Sequence, residues 1–132
     1  MATQKIGYFP SLQLIPTQIH GIVDYLTGAL LILAPFLLGF NTGGPEQWAP
    51  VVLGVAAILY SLATRYELGL FPVIPMPIHL LLDAASGVFL AASPWLFGFF
   101  DQIAWPHVAI GLFEILMSVI TQTKPGKVRN ST

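Results

Sequence analysis

Residues 20–40 read HGIVDYLTGALLILAPFLLGF, and residues 79–99 read HLLLDAASGVFLAASPWLFGF. Both stretches open on a histidine, place an aspartate four residues on (His20 and Asp24, His79 and Asp83), and a glycine four beyond that (Gly28, Gly87). Both then run apolar to a proline (Pro35, Pro94) and close on Gly-Phe. A run of about 20 apolar residues is what a helix needs to cross the hydrocarbon core of a bilayer. Each stretch therefore reads as a membrane span, yet each carries an ionisable pair near its start. The chain is organised around that recurrence.

Composition points the same way. Of 132 residues, 55% are hydrophobic and only 8% charged, with a mean hydropathy of +0.77, whereas soluble domains carry about 25% charged residues. A water-soluble bundle of this size would lack the polar side chains to cover itself, so lipid is the solvent that fits. The net charge of −1 offers no basic field for nucleic acid. The absence of cysteine removes disulfides, thiolate metal sites and cysteine nucleophiles together.

The chain divides into an N-terminal segment (1–15), a first pair of helices (16–69), a second pair (70–123) and a polar tail (124–132). Tyr8, Phe9 and Pro10 suit the N-terminal segment to the membrane interface. No signal-peptide core precedes Ile19, so the first helix is expected to act as an uncleaved insertion signal. Thr17 is placed to cap that helix, expected over residues 17–40 and about 36 Å long at about 1.5 Å per residue. Residues 41–47 (NTGGPEQ) form a turn, and a second helix is expected over 48–64, with Trp48 and Tyr66 as interfacial aromatics at its ends. Three prolines in residues 71–77 (FPVIPMP) bar regular helix until that run ends. A third helix is expected over 77–100 and, after the short turn at Asp101 and Gln102, a fourth over 105–123.

The recurrence extends past the opening stretch. An offset of 59 superposes the first halves of the two copies, and an offset of 57 the second halves, where Trp48 meets Trp105, Gly54 meets Gly111, Ser61 meets Ser118 and Thr64 meets Thr121. Two helices per copy leave both copies pointing the same way, which predicts a pseudo-two-fold axis along the membrane normal. Lys5, Arg65, Lys124, Lys127 and Arg129 are all the lysines and arginines, and all fall on the side of the termini and the middle loop. The opposite loops carry Glu46 and Asp101. By the positive-inside rule both termini are expected in the cytoplasm.

Ser93-Pro94-Trp95, set in the first helix of a two-helix copy and preceded by H-x3-D-x3-G, resembles the SPW-repeat family of small bacterial membrane proteins. The resemblance covers roughly residues 19–123. The first copy departs from the motif, with Ala34-Pro35-Phe36 where SPW is expected. The resemblance implies a membrane location and a repeated helix pair, and brings no established activity with it.

His20 with Asp24 and His79 with Asp83, each spaced i, i+4, lie on one face of their helices. The expected symmetry puts the pairs at equal depth in the cytoplasmic leaflet, near Arg65, Thr64 and Thr121. Ionisable groups inside a membrane face the bundle interior and count as functional candidates. The leading reading is structural: Asp24 and Asp83 pair with Arg65 and accept hydrogen bonds from the threonines, tying helix ends together. Arg65 has no copy, its mate being Gln122, so one cation serves two carboxylates unless Lys124 or a histidine proton compensates. The alternatives are a metal site of His20, Asp24, His79 and Asp83, haem held between His20 and His79, and a proton or ion path.

That path would run through Glu114, an acid near mid-bilayer with His107 two turns above it, along Glu114, Ser118 and Thr121. A duller reading has Glu114 bonding a carbonyl freed by a proline. The small residues on this helix face and on the second helix suit close helix packing. Pro35 and Pro94 free the carbonyls of Leu31 and Leu90, which predicts a kink or a helix end. Trp95 reads as an aromatic packed near the interface. No G-x-S-x-G, H-E-x-x-H or phosphate loop occurs, so catalysis is not expected. The sequence thus predicts an all-α, four-helix transmembrane bundle made of two tandem hairpins in a bacterial cytoplasmic membrane. It would have a structural or accessory role and need no cofactor. Its partners are the bilayer and a further copy of itself or a larger membrane complex, not nucleic acid.

Overall fold

The computed structural model describes residues 12–126, and they form an all-α fold of four helices: α1 (Thr17–Leu37), α2 (Pro45–Leu62), α3 (Met76–Leu96) and α4 (Trp105–Ile120). The aromatic N-terminal residues, Lys5, Lys127 and Arg129 lie outside the described residues.

Every helix boundary that departs from the sequence expectation has a local cause. α1 and α3 end at Leu37 and Leu96, short of the expected ends, because Gly39 and Gly98 take φ of +79° and +73°. Glycine adopts that conformation at no steric cost. The next N–H then closes back on the helix: Phe40 N donates to Pro35 O and Phe99 N to Pro94 O, both at 2.8 Å. This is the long bond of a Schellman stop. The Gly-Phe that closes each opening stretch is therefore a helix terminator, and both phenylalanines fold back into buried positions. The two prolines sit in the last turn, so the helix ends there.

α2 begins at Pro45, three residues earlier than expected, since proline's fixed φ suits the first helical turn. Thr42 Oγ1 donates to Glu46 Oε2, and Gly43 N donates to Gln47 Oε1 at 2.7 Å, closing the turn onto the helix. The proline-rich run before α3 is extended and pairs with the end of α2, Arg65 N donating to Ile74 O and Ile74 N to Ala63 O, both at 2.8 Å. The segment before α1 pairs in the same way with the end of α4: Leu14 N donates to Ile120 O at 2.7 Å and Gln122 N to Ile15 O at 2.9 Å. Thr121 turns extended to make that pairing, which ends α4 at Ile120 rather than Thr123. Thr17 does not cap α1. Its hydroxyl donates instead to the Glu67 carboxylate, at 2.8 and 3.0 Å.

α1 packs against α2, and α3 against α4, through facing glycines. A Cβ added to Gly54 would stand 2.7 Å from Gly28 O, and one added to Gly87 would stand 2.6 Å from Gly111 O. Backbones approach this closely where small residues line a helix crossing.

α1 and α3, 21 residues each, are long and apolar enough to cross a bilayer; α4 is apolar but has 16 residues. The expectation of four such helices is thus met by two on length and composition, α2 opening on the polar turn Pro45-Glu46-Gln47. The interior holds an apolar core that includes Leu31, Leu80, Leu90 and Phe99, but the exterior is apolar too and ionisable groups lie inside, unlike a soluble domain. Leu26, Leu30, Leu33, Phe36 and Leu37 of α1 are exposed, as are Leu81, Val88, Trp95 and Leu96 of α3. His20, Asp24, His79, Asp83 and Glu114 are buried.

Candidate functional site

The site is built where α1 and α3 begin. The i, i+4 spacing stacks His20 over Asp24 and His79 over Asp83, and the four side chains converge from the two helices. His20 Nε2 lies 3.1 Å from Asp24 Oδ1 and 2.8 Å from Asp83 Oδ2; His79 Nε2 lies 3.0 Å from Asp24 Oδ2 and 3.3 Å from Asp83 Oδ2. All four residues are buried. Each histidine thus meets the aspartate of its own helix and the aspartate of the other.

A second ring of groups fixes these side chains. Thr121 Oγ1 donates to Met117 O at 2.6 Å, so toward His20 it is the acceptor, and His20 Nδ1 donates to it at 2.7 Å. Thr64 Oγ1 donates to Tyr60 O at 2.6 Å and accepts from His79 Nδ1 at 2.8 Å. Both imidazoles therefore carry their Nδ1 proton outward, and both Nε2 atoms face the carboxylates. Each carboxylate in turn accepts from a phenol, Asp24 Oδ2 from Tyr66 and Asp83 Oδ1 from Tyr60, each at 2.6 Å. Burial, and the Asp24 carboxylate beside it, push the Tyr66 phenol above its ordinary value, so it stays a donor.

Arg65 does not enter this layer. It is exposed, and its Nε donates to Pro72 O at 3.3 Å. The cause is rotation along the chain at the end of α2: Thr64 and Tyr66 face inward, and Arg65 between them faces out. Lys124 is exposed as well. The groups that meet the aspartates are the histidines, in place of the expected arginine. Haem does not fit between them, because the two imidazoles stand edge to face with centroids 5.5 Å apart and the carboxylates fill the space a porphyrin would need.

A family model described as the SPW repeat domain matches residues 18–121. The chain belongs to the SPW repeat family. A search of curated proteins returns no match, and neither does a search of solved structures. In this SPW repeat protein the family's three-residue motif has a local explanation. Pro94 has no N–H for the carbonyl of Leu90, and Ser93 Oγ supplies the missing donor at 2.7 Å. Trp95 points outward, more than half exposed, and stacks on Phe100 with centroids 6.2 Å apart. Serine thus repairs what proline breaks, and the tryptophan faces the surroundings. Ala34, at the same point of the first copy, has no hydroxyl to offer. Ser93→Ala is expected to cost about 1–3 kcal/mol, because it leaves a buried carbonyl without a donor. Chemical denaturation in detergent checks this, and an unchanged midpoint would remove the repair role.

The same logic accounts for His107. Pro50 frees the carbonyl of Glu46, and His107 Nε2 donates to that oxygen at 2.9 Å, its ring packed between Phe40 and Phe99. The residues that bond the proline-freed carbonyls of Leu90 and Glu46 are therefore Ser93 and His107, not Glu114. His107 and Glu114 belong to different places: His107 borders a small apolar cavity with Phe40 and Pro106, while Glu114 borders another with His20, Asp24 and Asp83. Along the Glu114, Ser118 and Thr121 line, Ser118 Oγ donates to Ile115 O at 2.7 Å and Thr121 Oγ1 to Met117 O at 2.6 Å, both back into their own helix.

Tyr60 and Tyr66 are the members of the site that sequence reasoning passed over. The available signal was their lack of a repeat: at the offset of 57 they meet Met117 and Thr123. Unduplicated polar groups beside a duplicated acid pair are candidates to serve it.

Proposed function

We propose that this chain is a multi-pass protein of a bacterial cytoplasmic membrane, made of two tandem helical hairpins (16–69 and 70–123) and without catalytic activity. Its buried His/Asp layer fastens one hairpin to the other. The observation that carries this reading is the crosswise pairing. His20 of α1 reaches Asp83 of α3 at 2.8 Å, and His79 of α3 reaches Asp24 of α1 at 3.0 Å. Each hairpin completes the polar group of its neighbour, and the tight glycine crossings lie within the hairpins. Thr64, Thr121, Tyr60 and Tyr66 hold these four side chains in place from outside, so the two hairpins meet in one arrangement.

The membrane reading draws support from the apolar outer faces of α1 and α3 and from the exposed Trp48, Trp95 and Trp105 near helix ends. Arg65 and Lys124 fall at the end where α1 and α3 begin, Glu46 and Asp101 at the other, which favours a cytoplasmic Arg65 end. Four spans forming one bundle follow if α2 and α4 cross beside their partners. A second copy of the chain or a larger membrane complex remains the expected company for the apolar outer faces.

Because the chain has no cysteine, single cysteines report topology cleanly. In right-side-out vesicles an impermeant maleimide is expected to label Asn41→Cys and Gln102→Cys and to spare Lys124→Cys, with the reverse in inverted vesicles. Labelling of all three from one side would overturn the span. The doubly substituted Asp24→Asn/Asp83→Asn protein is expected to melt well below the parent in detergent, and an equal melting temperature would overturn the fastening role.

A further inference from the structure

We propose that His20, Asp24, His79 and Asp83 form a binding site for one first-row divalent cation, with zinc the ion of best fit. Each residue offers one ligand atom, and the four atoms lie within 4.8 Å of one another. Around a tetrahedral zinc with bonds of about 2.0–2.1 Å, neighbouring ligand atoms stand roughly 3.3–3.4 Å apart. The four His–Asp separations run from 2.8 to 3.3 Å, the two at Asp24 falling on different oxygens. The four side chains thus already converge on one point, and shifts of about 0.5 Å would open them to that edge.

A second observation points to a ligand. His79 Nε2 is fully buried and close to two carboxylates, yet no acceptor lies in line for a hydrogen bond. A histidine pair serving only as ion-pair partners would align that nitrogen on a carboxylate oxygen, as His20 Nε2 does on Asp83 at 2.8 Å. His79 Nε2 instead points among the carboxylates. Glu114 Oε1, also buried without a partner, borders the same cavity of about 20 Å³ with His20, Asp24 and Asp83.

The outer groups are those a metal centre uses. Ligating histidines direct the other ring nitrogen to an acceptor that fixes the tautomer, and ligating carboxylates are themselves hydrogen-bonded. Thr121 and Thr64 hold the Nδ1 protons, while Tyr66 and Tyr60 hold the carboxylates. Charge also balances. Two carboxylates and one dication with two neutral imidazoles sum to zero, so the loaded layer carries no net charge, as a low-dielectric site requires. Two imidazole nitrogens and two carboxylate oxygens suit zinc and its first-row neighbours rather than soft ions. Four protein ligands leave no open position, so the site would hold the ion and would not activate water on it.

The proposal deepens the fastening role, since the same side chains serve both, and the test separates them. Full-length protein purified in detergent is stripped with a chelator and titrated with Zn²⁺, Mn²⁺ and Co²⁺. One equivalent of Zn²⁺ per chain is expected to bind and raise the melting temperature, and Co²⁺ is expected to show the strong visible bands of a tetrahedral site. Thr64→Val, which keeps all four ligands and removes the hydroxyl that orients His79, is expected to weaken Zn²⁺ binding about 10–100-fold. Asp83→Asn is expected to abolish stoichiometric binding. Stripped protein that is folded by circular dichroism but takes up none of the three ions overturns the proposal and leaves fastening intact. Binding unchanged in folded Asp83→Asn or Thr64→Val protein also overturns it, by placing the ion elsewhere. If Asp24→Asn/Asp83→Asn melts like the parent in chelator while the parent binds Zn²⁺, fastening by the ion-free layer fails and the metal site stands.

Discussion

Replacing Asp83 with alanine is expected to cost about 3–5 kcal/mol of stability in chelator-treated protein, the range seen when one partner of a buried ion pair is removed. Asp83 accepts from Tyr60 at 2.6 Å and from His20 at 2.8 Å, and lies 3.3 Å from His79. Asp83→Ala strands the phenol and leaves two imidazoles to share Asp24. Asp24 has matching duties toward Tyr66, His79 and His20, so Asp24→Ala is expected to cost about as much. The double substitution decides whether the four residues act as one group. With both carboxylates gone neither histidine is left to share a remaining carboxylate, and each keeps its Nδ1 bond to threonine. The combined loss should then fall short of the sum by about 1–3 kcal/mol, the coupling expected inside a single polar network. Equilibrium unfolding in detergent of the two single variants and the double measures this. Strict additivity would mean that the layer is two independent pairs.

Much of this site was legible in the sequence, and the reasons are geometric. The His-x3-Asp spacing on a helix leaves no choice but a shared face, and repetition of that spacing names the second pair. Gly54 and Gly111 are readable as packing positions because small residues at matched places have few other uses in an apolar helix, whereas their partners Gly28 and Gly87 stand in the sequence only as part of the recurrence. Charge mapping placed Arg65 at the correct end of the molecule, but charge does not say which way a side chain turns just past a helix end. Arg65 sits between two inward-facing residues and turns out. The tyrosines were hidden for a related reason. A phenol at the end of α2 looks like an interfacial anchor until the fold brings it to a carboxylate on α1 or α3. Pro35 and Pro94 announce a kink or a helix end, and the helices do end there; the boundaries fall short of residues 40 and 100 because the positive φ of the glycine in each Gly-Phe, and not the apolar run, decides them. His107 was tied to Glu114 by helical spacing alone, while the group that claims it, the carbonyl freed by Pro50, lies on another helix.

The glycine crossings carry the other large effect. A Cβ at Gly111 would stand 2.7 Å from Ala91 N and 2.9 Å from Ala91 Cβ, and a Cβ at Gly54 would stand 2.7 Å from Gly28 O and 2.9 Å from Leu31 Cβ. The nearest obstacle in each case is backbone, which has no rotamer to change, so a larger side chain must push the helix axes apart. That displacement does not stay local. Thr121, which fixes His20, stands just past the end of α4; α2 carries Tyr60, which holds Asp83, and next to its end stands Thr64, which fixes His79. Opening either crossing therefore loosens the His/Asp layer as well. Gly111→Leu and Gly54→Leu are each expected to lose about 3 kcal/mol or more, beyond the ordinary cost of overpacking because packing and polar layer fail together. Val88→Leu, at a position more than half exposed on α3, puts the same leucine side chain outside the crossing and is expected to leave stability within about 0.5 kcal/mol. Melting in detergent of the three variants against the parent checks both statements. If Gly111→Leu melts as Val88→Leu does, the α3–α4 contact is not held at that glycine. If Gly54→Leu alone is tolerated, the two hairpins are not closed by equivalent contacts.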